Sequence, residues 1–126
     1  AEPSSGVIIT AMLHPIGIDI VSVARIERAL RRPRFVERVL TARERDHCRT
    51  AQQVAGRWAA KEAVCKCLGC VLPMTAIEVT PGPDGAPEVL VEGRSIYQGH
   101  RIAVSISHER EFAAAVAVLE REPAAQ

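Results

Sequence analysis

The sequence predicts an α+β domain in which helices pack on a mostly antiparallel sheet, and three observations point to it. The 126 residues, 48% of them hydrophobic, suffice for one buried core and are too few for two. Apolar residues recur at helical spacing through most of the first half, up to about Leu68. The second half alternates at strand spacing around Pro-, Gly- and Asp-rich turns, and helices followed by strands favour this class.

Each element has a local reason. "PIGIDIVSV" sets Ile16, Ile18 and Ile20 between smaller or polar positions, a strand that carries Asp19 near its end. Ser22 then caps a helix through "VARIERALRR", which Pro33 stops. "RFVERVL" makes a short amphipathic turn or two. Thr41, with Glu44 three residues later, has the form of a capping box and opens a helix through "ARERDHCRTAQ". The helical pattern returns from about Val54 to Leu68 and closes on Gly69. "AIEVT" and "EVLVEG" pair as a hairpin across "PGPDGAP", where Asp84 and Gly85 supply the positive φ angles of a tight turn. A short helix is expected near residues 94–99, followed by two strands, "RIAVSIS" and "FAAAVAVLE", that flank His108.

The expected organisation is an N-terminal extension over 1–11, ahead of Met12, one domain over 12–120, and a flexible tail over 121–126. No run of 18 apolar residues can span a bilayer, and the N-terminal stretch lacks the basic start and apolar middle of a secretory signal. A soluble, cytoplasmic protein without a membrane partner is therefore expected. With only 3% aromatic residues, the core must be built from Ala, Val, Ile and Leu, and so light a core favours burial against further copies of the chain.

Four cysteines suit a reducing compartment, since Cys65, Cys67 and Cys70 crowd into six residues and cannot staple distant segments. The Cys67-x-x-Cys70 spacing, with His47 and Cys48, also suits zinc. Cys65 and Cys67 lie within a helix on different sides, however, so small buried hydrophobes are the expected reading.

The charge is uneven. Residues 25–49 hold nine Arg against four acids, a balance of +5 within a chain of net charge +1, which leaves −4 elsewhere. A basic face follows, either a solvated helical surface or a docking surface.

"RWAAKEAVCKCLG" carries the densest chemistry. Glu62 and Lys66 are four apart and share a helix face with Trp58, while Ala59, Ala60, Ala63, Val64 and Leu68 turn most of the helix toward the protein. Charges held there need partners or a bound ion. Of 16 basic residues only Lys61 and Lys66 are lysines, and a compact point charge suits phosphate oxygens. Asp19, at a strand end, adds a second carboxylate, and two hard oxygens can hold Mg²⁺ while leaving positions for water and phosphate. Alone, Asp19 would read as a helix-start aspartate. In "SISHE", His108 sits beside Ser105 and Ser107, where an imidazole can donate to phosphate. His14, His47 and His100 have no such setting.

Taken in order, "GIDIVSVARI", "RFVERVLT", "AGRWAAKEAVCKCLG", "DGAPEV" and "SISHEREFAAAVAV" resemble the holo-acyl-carrier-protein synthases, the small single-domain 4′-phosphopantetheinyl transferases, from about Ile16 to Leu119. The resemblance implies the fold of those transferases. It also implies Mg²⁺-dependent transfer of the phosphopantetheine arm of coenzyme A to a serine of apo acyl carrier protein, in support of fatty acid biosynthesis. Asp19 and Glu62 would be the magnesium ligands and, with Lys66 on the pyrophosphate, the catalytic set. Lys66, Gly69, Gly85, Pro87, Ser107 and His108 would bind coenzyme A. Arg25, Arg34 and Arg38 would meet the acidic carrier protein. A homotrimer is implied, with sites at subunit boundaries. The serine proton has two candidate acceptors, Glu62 or a water acidified by the metal. Two departures stand out: "CVLPMTAIEV" is short for the family, and Cys65 and Cys67 replace other small or apolar residues.

Two other readings use the Arg-rich 25–49 surface without catalysis, as a carrier-protein module or a nucleic-acid module. The second wants stacking aromatics, and that span offers only Phe35, inside a segment that wants it buried. No nucleic-acid partner is expected.

Overall fold

The structure, a computed structural model, describes residues 14–122. Its elements run β1 (Ile16–Ser22), α1 (Val23–Ala29), α2 (Phe35–Val39), α3 (Ala42–Arg45), α4 (Ala51–Leu68), a 3₁₀ turn at Met74–Ala76, β2 (Ile77–Pro81), β3 (Pro87–Val91), β4 (Ile96–Tyr97), β5 (His100–His108) and β6 (Phe112–Arg121). A four-stranded sheet in the order β1-β6-β5-β4 is antiparallel throughout, and β2 and β3 form a separate hairpin. This is the α+β class that the sequence predicts.

The long helix α4 lies across β1, β5 and β6 and carries the core. Ala59, Ala60, Ala63, Val64 and Leu68 are fully buried, as are Ala113 and Ala117 of β6, the strand that packs on this helix. Small residues let helix and sheet approach closely. At Gly17 a Cβ would stand 2.2 Å from the Ala63 carbonyl oxygen, and at Gly56 one would stand 2.9 Å from Ile106 Cγ2. The glycine of "GIDIV" thus lets β1 run against the backbone of α4 and brings Asp19 to the same helix.

Strand alternation sorts the sheet into two faces. Gly17 and Val21 of β1 turn toward the helix and are buried, with Asp19 half-buried beside them. Ile16, Ile18 and Ile20 turn outward at 59%, 66% and 65% exposure, and Phe112 and Val118 of β6 join them. One face of the sheet is therefore core and the other is an uncovered apolar surface.

Local chemistry explains most boundaries. The Ser22 hydroxyl accepts the Arg25 N–H at 3.4 Å, and Thr41 and Glu44 complete the expected capping box. Gly69 closes α4 with φ 67°, and its N–H donates to the Cys65 carbonyl.

Several expectations need correction. The helix after Ser22 ends at Ala29, and residues 30–32 continue only as tight turns, because Pro33 disfavours helical geometry in the residue before it. The helix expected from 42 to about 52 is α3, only four residues long, and α4 starts afresh at Ala51. The cause is a second capping box, Thr50 with Gln53, written as T-x-x-Q. The expected helix near 94–99 is instead β4 and a two-residue turn. Tyr97 pairs with His100 across Gln98 (φ 52°) and Gly99 (φ 79°), the turn that twisted hairpins favour. In the β2–β3 turn only Gly85 has positive φ, at 86°, while Asp84 Oδ1 accepts the Ala86 N–H. The tail expected from 121 is ordered at its start: Arg121 ends β6, and the Glu122 N–H donates to the Gly99 carbonyl. Residues 1–11 and 123–126 lie outside the described residues.

Candidate functional site

Asp19 and Lys66 meet where β1 crosses α4. Lys66 Nζ stands 3.3 Å from Asp19 Oδ1 and donates to the Ile18 carbonyl at 2.7 Å. The lysine side chain is 54% exposed, and the aspartate only 16%. Asp19 Oδ2 is buried without a hydrogen-bond partner among the described residues. Such an oxygen costs free energy unless something binds it, and a hard cation is the natural partner of an anionic oxygen. Glu62 lies one turn before Lys66 on the same helix face and is half-buried. Among the described residues no third His, Cys, Asp or Glu gathers with other such groups into a metal-binding set. A pair of carboxylates suits Mg²⁺, which keeps waters and substrate phosphates in its other positions.

The second lysine of the helix does something else. Lys61 is fully buried, and its ammonium donates to Glu44 Oε1 at 2.5 Å, the Val39 carbonyl at 2.6 Å and the Met74 carbonyl at 3.0 Å. Glu44 is equally buried and accepts the Thr41 and Val79 N–H groups, each at 2.8 Å. Burial pushes the Lys61 pKa down, and the bond to Glu44 opposes that shift. Of the two lysines that suggested a phosphate, only Lys66 is open to one. Lys61 projects from a different side of the helix, between α2, α3 and β2, where three oxygens already use its protons.

A cleft of about 170 Å³ brings together Gly85 of the β2–β3 turn and Pro87, the first residue of β3, with His108 at the end of β5. Thr80 and Arg57 complete its polar lining. Arg57 is the residue that sequence reasoning missed. It lines the cleft, and its Nε is buried with no hydrogen-bond partner among the described residues. The signal was an arginine one position before Trp58 in a helix that is mostly buried. Gly69 is the cap beyond Lys66. Ser107 does not enter this cleft: it pairs with Ala114, which pairs with Ile20, and so faces the outer, apolar side of the sheet.

A second groove, of about 350 Å³, runs between α1 and the paired rings of Phe35 and Trp58. Those rings stack with centroids 6.0 Å apart and planes at 19°. Arg25, Arg28 and Arg32 line it. Arg34 and Arg38 are exposed nearby on the α2 segment, and Arg34 holds a left-handed backbone at φ 70°. The aromatic ring of this span is thus packed on α4, as the sequence suggested, and the arginines stand free around it.

The cysteines form no zinc set. Cys67 is buried and its Sγ donates to the Ala117 carbonyl at 3.2 Å, and all four thiols are free. Burial pushes each of them up from the ordinary thiol value.

Residues 15–117 match the model of the 4′-phosphopantetheinyl transferase superfamily. The holo-[acyl-carrier-protein] synthase of Gloeobacter violaceus is 40% identical over 118 residues, covering 82% of this chain and 89% of that protein. That of Moorella thermoacetica is 39% identical over 117 residues, with coverage of 82% and 91%. Among solved structures, the Bacillus anthracis synthase in complex with coenzyme A (3′,5′-ADP) superposes with a TM-score of 0.74 at 37% identity, covering 86% of this chain and 96% of its own. The Helicobacter pylori synthase in complex with coenzyme A gives 0.74 at 36% identity, covering 83% and 99%. With its glycine-spaced aspartate, its Glu62–Lys66 helix and these relatives, the chain belongs to the holo-acyl-carrier-protein synthase family of the 4′-phosphopantetheinyl transferases.

Proposed function

We propose that Asp19, Glu62 and Lys66 carry a Mg²⁺-dependent transfer of phosphopantetheine from coenzyme A to a serine of an apo acyl carrier protein in fatty acid biosynthesis. The products are holo acyl carrier protein and adenosine 3′,5′-bisphosphate. The chain is a transferase of this class by family, and coenzyme A and apo acyl carrier protein are its substrates on that ground. One observation carries the assignment of the site: the buried, unpartnered Asp19 Oδ2 beside Lys66, on the strand that Gly17 presses to α4.

Asp19 and Glu62 would hold the magnesium. When bound, it supplies positive charge against the pyrophosphate of coenzyme A, the largest need in attack on phosphorus. Lys66, on a long and half-exposed side chain, exchanges Asp19 for a phosphate oxygen and adds a second positive charge. The serine proton goes to Glu62 or to water. Arg57 and His108, at the mouth of the 170 Å³ cleft, offer donors to further phosphate, while Gly85 and Pro87 shape the wall without side-chain bulk.

The arginines of α1 and α2 fit an acidic carrier protein better than a nucleic acid. Phe35 is spent on Trp58, and no stacking ring is left free between them. The outer sheet face, with Ile16, Ile18, Ile20, Phe112 and Val118, suits two further copies of the chain. In such a trimer Ser107, on that face, would reach a neighbour's coenzyme A. No helix among the described residues is long and apolar enough to cross a membrane.

The test is the intact mass of an apo acyl carrier protein after incubation with the chain, coenzyme A and Mg²⁺. Wild type should add one phosphopantetheine, chelation should stop it, and Glu62→Gln should lower kcat by about 10²-fold or more with an unchanged melting curve. Wild-type rates in Glu62→Gln would refute the assignment.

A further inference from the structure

The buried Lys61–Glu44 pair is not explained by stability alone. Apolar side chains of similar volume commonly replace such a pair at little or no loss of stability. Its contacts, however, all converge on one junction. Lys61 bonds the carbonyl of Val39, the last residue of α2, and Glu44 bonds the N–H of Thr41, two residues on. The 3₁₀ turn at Met74 and the first half of β2 at Val79 anchor the same two side chains.

Helix α2 needs this support. It has five residues, too few to be stable alone, and its N-terminus has no side-chain cap. Two ties hold it to α4, one near each end: Phe35 stacks on Trp58, and the Val39 carbonyl accepts Lys61. Phe35 and Val39 are four apart and share a face of α2; Trp58 and Lys61 are three apart and share a face of α4. The second tie lies one residue from Glu62. A lysine suits it because a tetrahedral ammonium aims three protons at three separate oxygens, which a planar guanidinium does not.

We propose that Lys61, locked by Glu44, is a positioning residue: it holds the helix that presents Arg38, and the Arg34 that precedes it, at a set distance from Glu62. A carrier protein seated on those arginines is thereby placed with its serine at the catalytic carboxylates. The inference rests on the docking role read above for Arg25, Arg34 and Arg38.

The test uses the whole chain with Lys61→Met and Glu44→Gln combined, so that neither charge is left buried alone. Two readouts are needed. In steady state, the KM for apo carrier protein should rise about tenfold while that for coenzyme A stays within about twofold. In hydrogen exchange, the Leu40 amide, bonded to the Val36 carbonyl at 2.8 Å, should exchange faster while amides of α4 keep their protection. Equal rises in both KM values, an unchanged carrier KM, or unchanged exchange at Leu40 would overturn the proposal. Should the double variant fail to fold, Lys61→Arg keeps a charge beside Glu44 while its planar guanidinium cannot serve all three oxygens, and the same readouts apply. A wild type that transfers nothing would sink the site assignment instead. Exchange at Leu40 would then still decide whether Lys61 holds α2.

Discussion

Replacing Gly17 by alanine tests how the site is assembled without touching a reactive group. The new Cβ would stand 2.2 Å from the Ala63 carbonyl oxygen and 3.1 Å from Lys66 Cβ. Both neighbours belong to α4, and the closer one is backbone, so no rotamer change relieves the contact. To reach even 3.0 Å, β1 and α4 must part by about 0.8 Å or the strand must twist locally. Overpacking of this kind costs about 1 to 3 kcal/mol, which lowers the melting temperature of a domain this size by roughly 4 to 20 °C. The chemical cost is larger. Asp19 leaves Lys66 and Glu62 by a similar distance, and a misplacement near 1 Å can cost about 10²-fold in rate. The assay is the intact-mass transfer reaction at saturating coenzyme A and carrier protein, run beside a thermal melt. The expected result is a folded, somewhat less stable enzyme whose kcat falls by about 10²-fold and whose KM for carrier protein changes little. A variant with near wild-type kcat and melting temperature would refute the claim that this glycine sets the spacing of the site.

Charge reversal at Arg25→Glu should raise the KM for apo acyl carrier protein several-fold, leave that for coenzyme A unchanged, and flatten the dependence of transfer rate on salt; parallel loss for both substrates would count against the docking face. Ile18→Glu, at a position 66% exposed on the outer sheet face, should turn the proposed trimer into monomers in sedimentation equilibrium without unfolding the chain, and an unchanged mass would rule that face out as the contact. Burial holds the Cys67 thiol above its ordinary value of 9.0, so above pH 9 the unfolded chain loses that proton before the folded one. The folded state then binds more protons, and stability falls as pH rises. Melting curves from pH 8 to 10.5 should fall more steeply for wild type than for Cys67→Ala, and parallel curves would contradict the shift.

The fold class was legible because its signals are local. A strand alternating through Ile16, Ile18 and Ile20, a capping box at Thr41 and Glu44, and a glycine at 69 each reflect short-range physics that the structure retains. The misses share a different cause. The break between α3 and α4 depends on Thr50 and Gln53 satisfying each other's backbone groups, inside a stretch whose composition alone reads as continuous helix. The region 94–99 pairs with β5, a tertiary contact that outweighs its weak helical pattern. Within the site, the sequence pairs Asp19 with Glu62, whereas the contact the structure records is between Asp19 and Lys66. The partner of Lys61 lies 17 residues away on α3, and periodicity carries no trace of it. Arg57 was missed for the same reason, since its cleft is closed by residues from β2, the following turn and β5.

Arg34 keeps a left-handed backbone that glycine would adopt freely, at a cost of roughly 1 kcal/mol. Selection for heat resistance alone would therefore drift toward glycine at this position, and each step would look like an improvement in a melting experiment. The same step would remove a cation from the surface proposed above to meet the carrier. A thermostable library made from this chain thus needs a second screen, against its protein substrate, or it will enrich well-folded enzymes that no longer recognise what they modify.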